Sequence, residues 1–135
     1  MRWPITVLAI VATISVAGCQ GQPTAALSKA GCTRPAGISG DTSSGRQLFL
    51  ARGCVACHRA KSVPQATGTI GPDLTGIDDA ARRPMLAGNQ LANTPENVRR
   101  WIMDPQGVKP GTPMPNLDLT DKEADDLVAL LYTLC

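Results

Sequence analysis

The chain has 135 residues, 43% of them apolar, and a formal net charge of +2. That length holds one small domain plus extensions, and so slight a charge, with no basic stripe, excludes a nucleic-acid binder. Only 3% of the residues are aromatic, namely Trp3, Phe49, Trp101 and Tyr132, so a small core has to be closed by something besides rings.

Arg2 puts a positive charge at the N-terminus, and Ile5 to Gly18 is almost wholly apolar. The run falls short of the roughly 20 residues of a membrane span and matches the hydrophobic region of a secretory signal. Val16-Ala17-Gly18-Cys19 resembles a bacterial lipobox, which implies lipid on the Cys19 thiol and cleavage just before it. An ordinary cleaved signal or an uncleaved anchor helix is the plainer reading. Two acyl chains at Cys19 hold a protein stably at about 0.8 kcal/mol per buried CH₂. Each reading sends the rest of the chain to an oxidising compartment, the periplasm or the outer surface of the cytoplasmic membrane. Residues 1–18 are therefore read as a signal peptide, 19–40 as a flexible tether rich in Gly, Pro, Ser, Thr and Ala, and 41–135 as the compact domain.

Ser43 or Ser44 is expected to cap a first helix that runs to about Arg52 with Leu48 and Phe49 facing inward. Residues 59–93 show no strand alternation and are read as loop with short helical turns. Thr94 as N-cap, Pro95 at the first helical position and Glu96 in the first turn open a second helix. Val98, Trp101 and Ile102 share its face, and Asp104-Pro105 ends it. Residues 106–117 read as a Pro/Gly loop. Thr120 to Glu123 forms a capping box before a last helix. Leu127, Leu130, Leu131 and Leu134 make that helix's apolar stripe, and its acids are placed on the outer face. No internal repeat is present. The expected class is all-α, three to five short helices with long loops, and loops of that length suggest that they wrap something.

Cys54-Val55-Ala56-Cys57-His58 says what they wrap. It is the C-x-x-C-H pattern of c-type haem attachment, and it uses two of five cysteines and the only histidine. The thiols add across two vinyl groups as thioethers, and His58 follows as the proximal iron ligand. A structural zinc site needs four ligands, and no second Cys/His pair exists. A thioredoxin-type dithiol wants a βαβ context, and a plain disulfide leaves His58 idle. A single haem c, held by Cys54 and Cys57, is the expected cofactor. With the one imidazole used, the second axial ligand is a methionine, or the iron is left open. Met103 lies inside a helix, where Met more often packs a core, and Met85 can simply pack. Met114 sits in a loop stiffened by Pro113 and Pro115, and a His/Met pair is an established haem arrangement. Met114 is the favoured ligand.

Together these residues resemble a class I cytochrome c from about Gly45 to Tyr132. Gly45 and Phe49 look like the first-helix pair that packs on a C-terminal aromatic, here Tyr132. The resemblance implies that the backbone carbonyl of Pro72, in Gly71-Pro72-Asp73-Leu74, accepts the proximal histidine's other N–H. Pro110 to Met114 matches the distal ligand loop, which assigns Thr112 to a haem propionate and sets Trp101 beside the Met ligand. A propionate contact from Asn93 is a weaker implication. The stretch from Asn93 through the Met loop looks more narrowly like the cytochrome c domain fused to subunit II of some haem-copper oxidases.

Cys32 and Cys135 remain. Export favours a disulfide between them, against two free thiols or an intermolecular bond. Arg46, Arg52, Arg59, Lys61, Arg82, Arg83 and Lys109 lie in segments expected to flank the haem edge, and acids cluster at the last helix. That makes either a basic docking face for an acidic redox partner or a mixed solvated surface. The leading functional expectation is a membrane-tethered, monomeric one-electron carrier rather than an enzyme. Its donor would be a quinol-oxidising complex or dehydrogenase and its acceptor a terminal oxidase. A permanent subunit of a membrane oxidase or dehydrogenase complex is the alternative. A five-coordinate haem that binds gas or handles peroxide is a third class, and it requires Met114 not to ligate.

Overall fold

The computed structural model describes Cys32 and residues 34–135; the stretch expected to be a signal peptide, Cys19 and most of the expected tether lie outside the described residues. Five helices follow in order: α1 Thr42–Ala51, α2 Cys54–Cys57, α3 Pro95–Met103, α4 Pro105–Val108 and α5 Asp121–Leu131. The architecture is the helical, loop-rich one expected.

α1 starts slightly before its expected serine cap. Asp41 is the N-cap, and its carboxylate accepts from Ser44 N at 2.7 Å. Aspartate caps at least as well as serine and adds negative charge to the positive end of the helix dipole. Phe49 is buried and Leu48 half-buried. Gly45 lets α1 approach α5 closely, since a Cβ there would run into the Asp126 carbonyl. α5 begins with the expected capping box, Thr120 and Glu123 each bonding the other's backbone. Its Leu127, Leu130 and Leu131 join Phe49, Val98, Ile102, Tyr132 and Leu134 in the core.

Not every acid of α5 faces outward. Asp126 is 3% exposed. Its Oδ1 accepts from Asp41 N at 2.8 Å and its Oδ2 pairs with Lys122 Nζ at 2.7 Å. Those bonds, led by the Asp41 N–H, hold its pKa below the ordinary value. The carboxylate staples the start of α1 to α5.

Besides the single turn of α2, two small elements go beyond the expected set. A minimal hairpin pairs β1, Met85–Leu86, with β2, Leu91–Ala92. Its turn runs through Ala87, Gly88 and Asn89, all at positive φ. α4 is the second: Asp104 both ends α3 and caps α4, its side chain accepting from Gly107 N. At the other end of the domain a disulfide joins Cys32 to Cys135, with Cα atoms 5.5 Å apart.

Candidate haem site

Gly53, at φ +74°, turns the chain out of α1 into the single turn of α2. Cys54 and Cys57 begin and end that turn, and neither is in a disulfide. His58 leaves the helix in extended conformation while its N–H still bonds Cys54 O at 2.9 Å. Desolvation pushes the Cys54 thiol up to about 11. Redox dithiols work through a depressed thiol pKa, so the site's environment opposes that reading. Among the described residues no group of three or more His, Cys, Asp and Glu side chains could hold a metal ion.

The imidazole is fixed from one side. His58 Nδ1 lies 2.9 Å from the Pro72 carbonyl oxygen. A carbonyl only accepts, so Nδ1 carries the proton and the Nε2 lone pair is left for a metal. Gly71 packs against the ring: a Cβ there would stand 2.5 Å from Cε1 and 2.7 Å from Nδ1. A strap holds this geometry, with Gly68 N bonded to Val55 O, Gly71 N to Cys57 O at 2.8 Å, and Leu74 N to Arg59 O at 2.7 Å. Asp73 locks the turn after Pro72. Its carboxylate accepts from Thr75 N at 2.8 Å and Arg59 Nε at 2.9 Å. Hydrogen bonds from Thr75, then Arg59, bring its pKa down to about 2.

Cys54, Cys57, His58 and Pro72 all open onto a cavity of about 540 Å³. Its walls are mainly apolar: Phe49, Leu74 and Ile77, the α3 face of Val98, Trp101 and Ile102, and Leu127 and Leu131 of α5. Thr112, Pro113, Met114 and Pro115 complete the wall. Met85 also reaches the cavity but is 41% exposed; Met103 packs against the core. Thus Trp101, Thr112 and Met114 join the motif and Pro72 around one space. Two thiols, an imidazole with a free nitrogen, a thioether and a large apolar volume fit a covalently held porphyrin.

The sequence profile described as Cytochrome c matches residues 42–134. The chain belongs to the cytochrome c family. It is similar to cytochrome c oxidase subunit 2 of Alkalihalophilus pseudofirmus, 36% identical over 94 residues that cover 68% of this chain and 25% of that protein. The chain thus spans about a quarter of the length of that subunit. Cytochrome c-type cyt cy of Rhodobacter capsulatus is 28% identical over 109 residues, 74% of this chain and 52% of that one. Among solved structures, cytochrome cH from Methylobacterium extorquens aligns with a TM-score of 0.51 at 27% identity, over 70% of this chain and 99% of that one. SoxXA from P. pantotrophus shares the fold, with a TM-score of 0.53 at 22% identity over 76% and 89% of the two chains.

As a cytochrome c the protein carries haem c, bound through Cys54 and Cys57, and its function is electron transfer. The haem iron would supply a one-electron couple. The polypeptide would hold the macrocycle through Cys54 and Cys57, orients His58 through Pro72, and offers it the apolar walls of α3 and α5.

Asn93 does not reach toward a propionate. It is 6% exposed, its Nδ2 donates to Ile77 O and Arg83 O, both at 2.8 Å, and its Oδ1 accepts from Tyr132 OH at 3.2 Å. An amide spent on three internal partners has nothing left for the cofactor. Burial pushes the Tyr132 hydroxyl up to about 12, so it stays a donor. Of the expected basic residues, Arg52, Arg83 and Lys109 line the cavity, whereas Arg59 pairs with Asp73 and Arg82 with Asp79. The acids of α5 are largely matched, Glu123 by Arg52, Asp121 and Asp125 by Arg99. Sequence reasoning missed the Gly71 contact, the Asp73 lock and the side chain of Gln106, which bonds the Met114 loop.

Proposed function

We propose that this cytochrome c is a one-electron carrier of a respiratory chain, its iron bound by His58 Nε2 and the Met114 thioether. One observation carries the reading: the single imidazole, already oriented by Pro72, and the Met114 loop line the same apolar cavity. An iron with both axial positions filled suits outer-sphere transfer rather than substrate binding. A thioether is soft and neutral, favours Fe(II), and so raises the potential. Lipid on Cys19 holds the exported domain at the membrane surface, which restricts its search and raises its effective concentration near membrane partners. A quinol-oxidising complex or dehydrogenase reduces it, and a terminal oxidase accepts the electron. Arg83 and Lys109 at the cavity favour an acidic docking surface.

The match to oxidase subunit 2 proteins supports a second reading, in which the domain is a permanent subunit of an oxidase complex. Membranes expressing wild type and Cys19→Ser separate the possibilities. We expect Cys19→Ser to keep its spectrum, leave the membrane fraction, and slow oxidase-linked respiration at least several-fold, as loss of effective concentration implies. Retention in the membrane through co-purification with one oxidase supports the subunit reading. Retention without a partner overturns the lipid anchor. Carbon monoxide binding to ferrous wild type with no ligand displaced overturns Met114 ligation.

A further inference from the structure

The loop that carries Met114 is poorly able to brace itself. Pro110, Pro113 and Pro115 have no N–H to donate. Among the described residues its own backbone contributes one bond, Thr112 N to Lys109 O at 3.1 Å. A side chain outside the loop supplies the rest. Gln106 Nε2 donates to the Thr112 carbonyl at 2.8 Å and to the Met114 carbonyl at 2.9 Å. Its Oε1 accepts from Gly111 N at 3.1 Å. A primary amide offers two donors and an acceptor in one plane, which these three backbone groups require.

Gln106 is itself held. It is the second residue of α4, behind the buried Pro105. Asp104 Oδ1 accepts from Gly107 N at 2.8 Å, and a Cβ at Gly107 would strike that carboxylate. The same Asp104 ends α3, whose Val98, Trp101 and Ile102 wall the cavity. The loop is therefore referenced to α3 through one amide.

We infer that Gln106 is the positioning residue for the Met114 thioether, holding the ligand loop closed over the iron. The inference rests on the proposed ligation by Met114. A thioether binds weakly, so water or an added imidazole competes whenever the loop opens. Each hydrogen bond that must break to open it lowers the open population, and loss of the two amide donors raises that population about thirtyfold.

The test uses full-length, haem-loaded protein. Ferric wild type, Gln106→Glu, Gln106→Leu and Met114→Ala are titrated with imidazole, and the iron–thioether charge-transfer band is followed against pH. Both Gln106 variants are expected to keep covalent haem and helix content and to bind imidazole about tenfold to thirtyfold more tightly. They are also expected to lose the band at lower pH than wild type. The near-isosteric Gln106→Glu carries the test if the leucine variant fails to mature. Wild-type imidazole affinity in Gln106→Glu overturns the inference. So does failure of both variants to mature, because the side chain then serves folding rather than the loop. Met114→Ala must lack the band; if the band persists there, the ligation reading falls and takes the inference with it. If the band vanishes in Met114→Ala while both Gln106 variants titrate like wild type, only the inference falls.

Discussion

At position 71 a side chain has nowhere to go. A Cβ would meet the imidazole 2.5 Å away, and Gly71 N is tied to Cys57 O, so the backbone cannot swing clear. In Gly71→Ala the ring must tilt off the Pro72 carbonyl. With His58 as the proposed iron ligand, that hydrogen bond would make it a stronger donor and favour the ferric state. If the loss of about 1 kcal/mol falls wholly on the ferric state, the reduction potential rises by at most roughly 40 mV for one electron. Overpacking lowers stability by about 1–3 kcal/mol. Spectroelectrochemistry and thermal melts measure both, and an unchanged potential would show that the Pro72 contact tunes nothing. Pro72→Ala is the control, since it keeps the carbonyl. The cysteine–histidine motif was legible because its chemistry demands a fixed local spacing. Gly71, Asn93 and Gln106 were not, because their roles come from partners that no spacing marks. Asn93 was even aimed the wrong way, since nothing local shows that Tyr132, 39 residues on, claims its carbonyl.

At the scale of elements, the openings of α3 and α5 were legible because a cap and its partner lie within four residues of each other. α2, α4 and the hairpin were not: one turn of helix, or two paired residues, has no periodicity to read. The cap of α5 also does long-range work that its motif conceals. Glu123 accepts from Thr120 N at 2.9 Å and pairs with Arg52 at the end of α1. The Arg52 bond first, then Thr120, brings its carboxyl down from 4.5 to about 2. A carboxyl depressed in the fold contributes stability that is complete above its ordinary pKa and is lost as pH falls through the folded value. The contribution of Glu123 should therefore decline between about pH 4.5 and pH 2. Glu123→Gln removes that proton uptake, while Asp73 and Asp126, also depressed, retain theirs. Melting temperatures taken from pH 7 to pH 3 should fall less steeply in Glu123→Gln than in wild type. Parallel curves would mean that the Arg52 pair contributes nothing to stability.

For the whole molecule, the shortage of aromatic residues and the length of the loops pointed to a core that the polypeptide does not supply. The cavity of about 540 Å³ gives that idea a size. What stayed illegible was the surface, because charge pairing across α1, α3 and α5 needs coordinates. Without the cofactor the apolar lining of this space packs against nothing, and the burial it would contribute to folding is lost. A domain has about 5–15 kcal/mol in total. The Cys32–Cys135 bridge closes a loop of about 100 residues and offsets about 4–5 kcal/mol at most. The bridge restrains the chain ends but leaves that apolar lining uncovered. A Cys54→Ala/Cys57→Ala chain matured without haem should retain the disulfide, elute from gel filtration as an expanded species, and melt without a cooperative transition. Reducing its bridge should expand it further, because the crosslink is then the main restraint left. A compact, cooperatively melting apo chain would show that the α1 and α5 contacts suffice alone, and that the cofactor fills a pocket rather than completing the core.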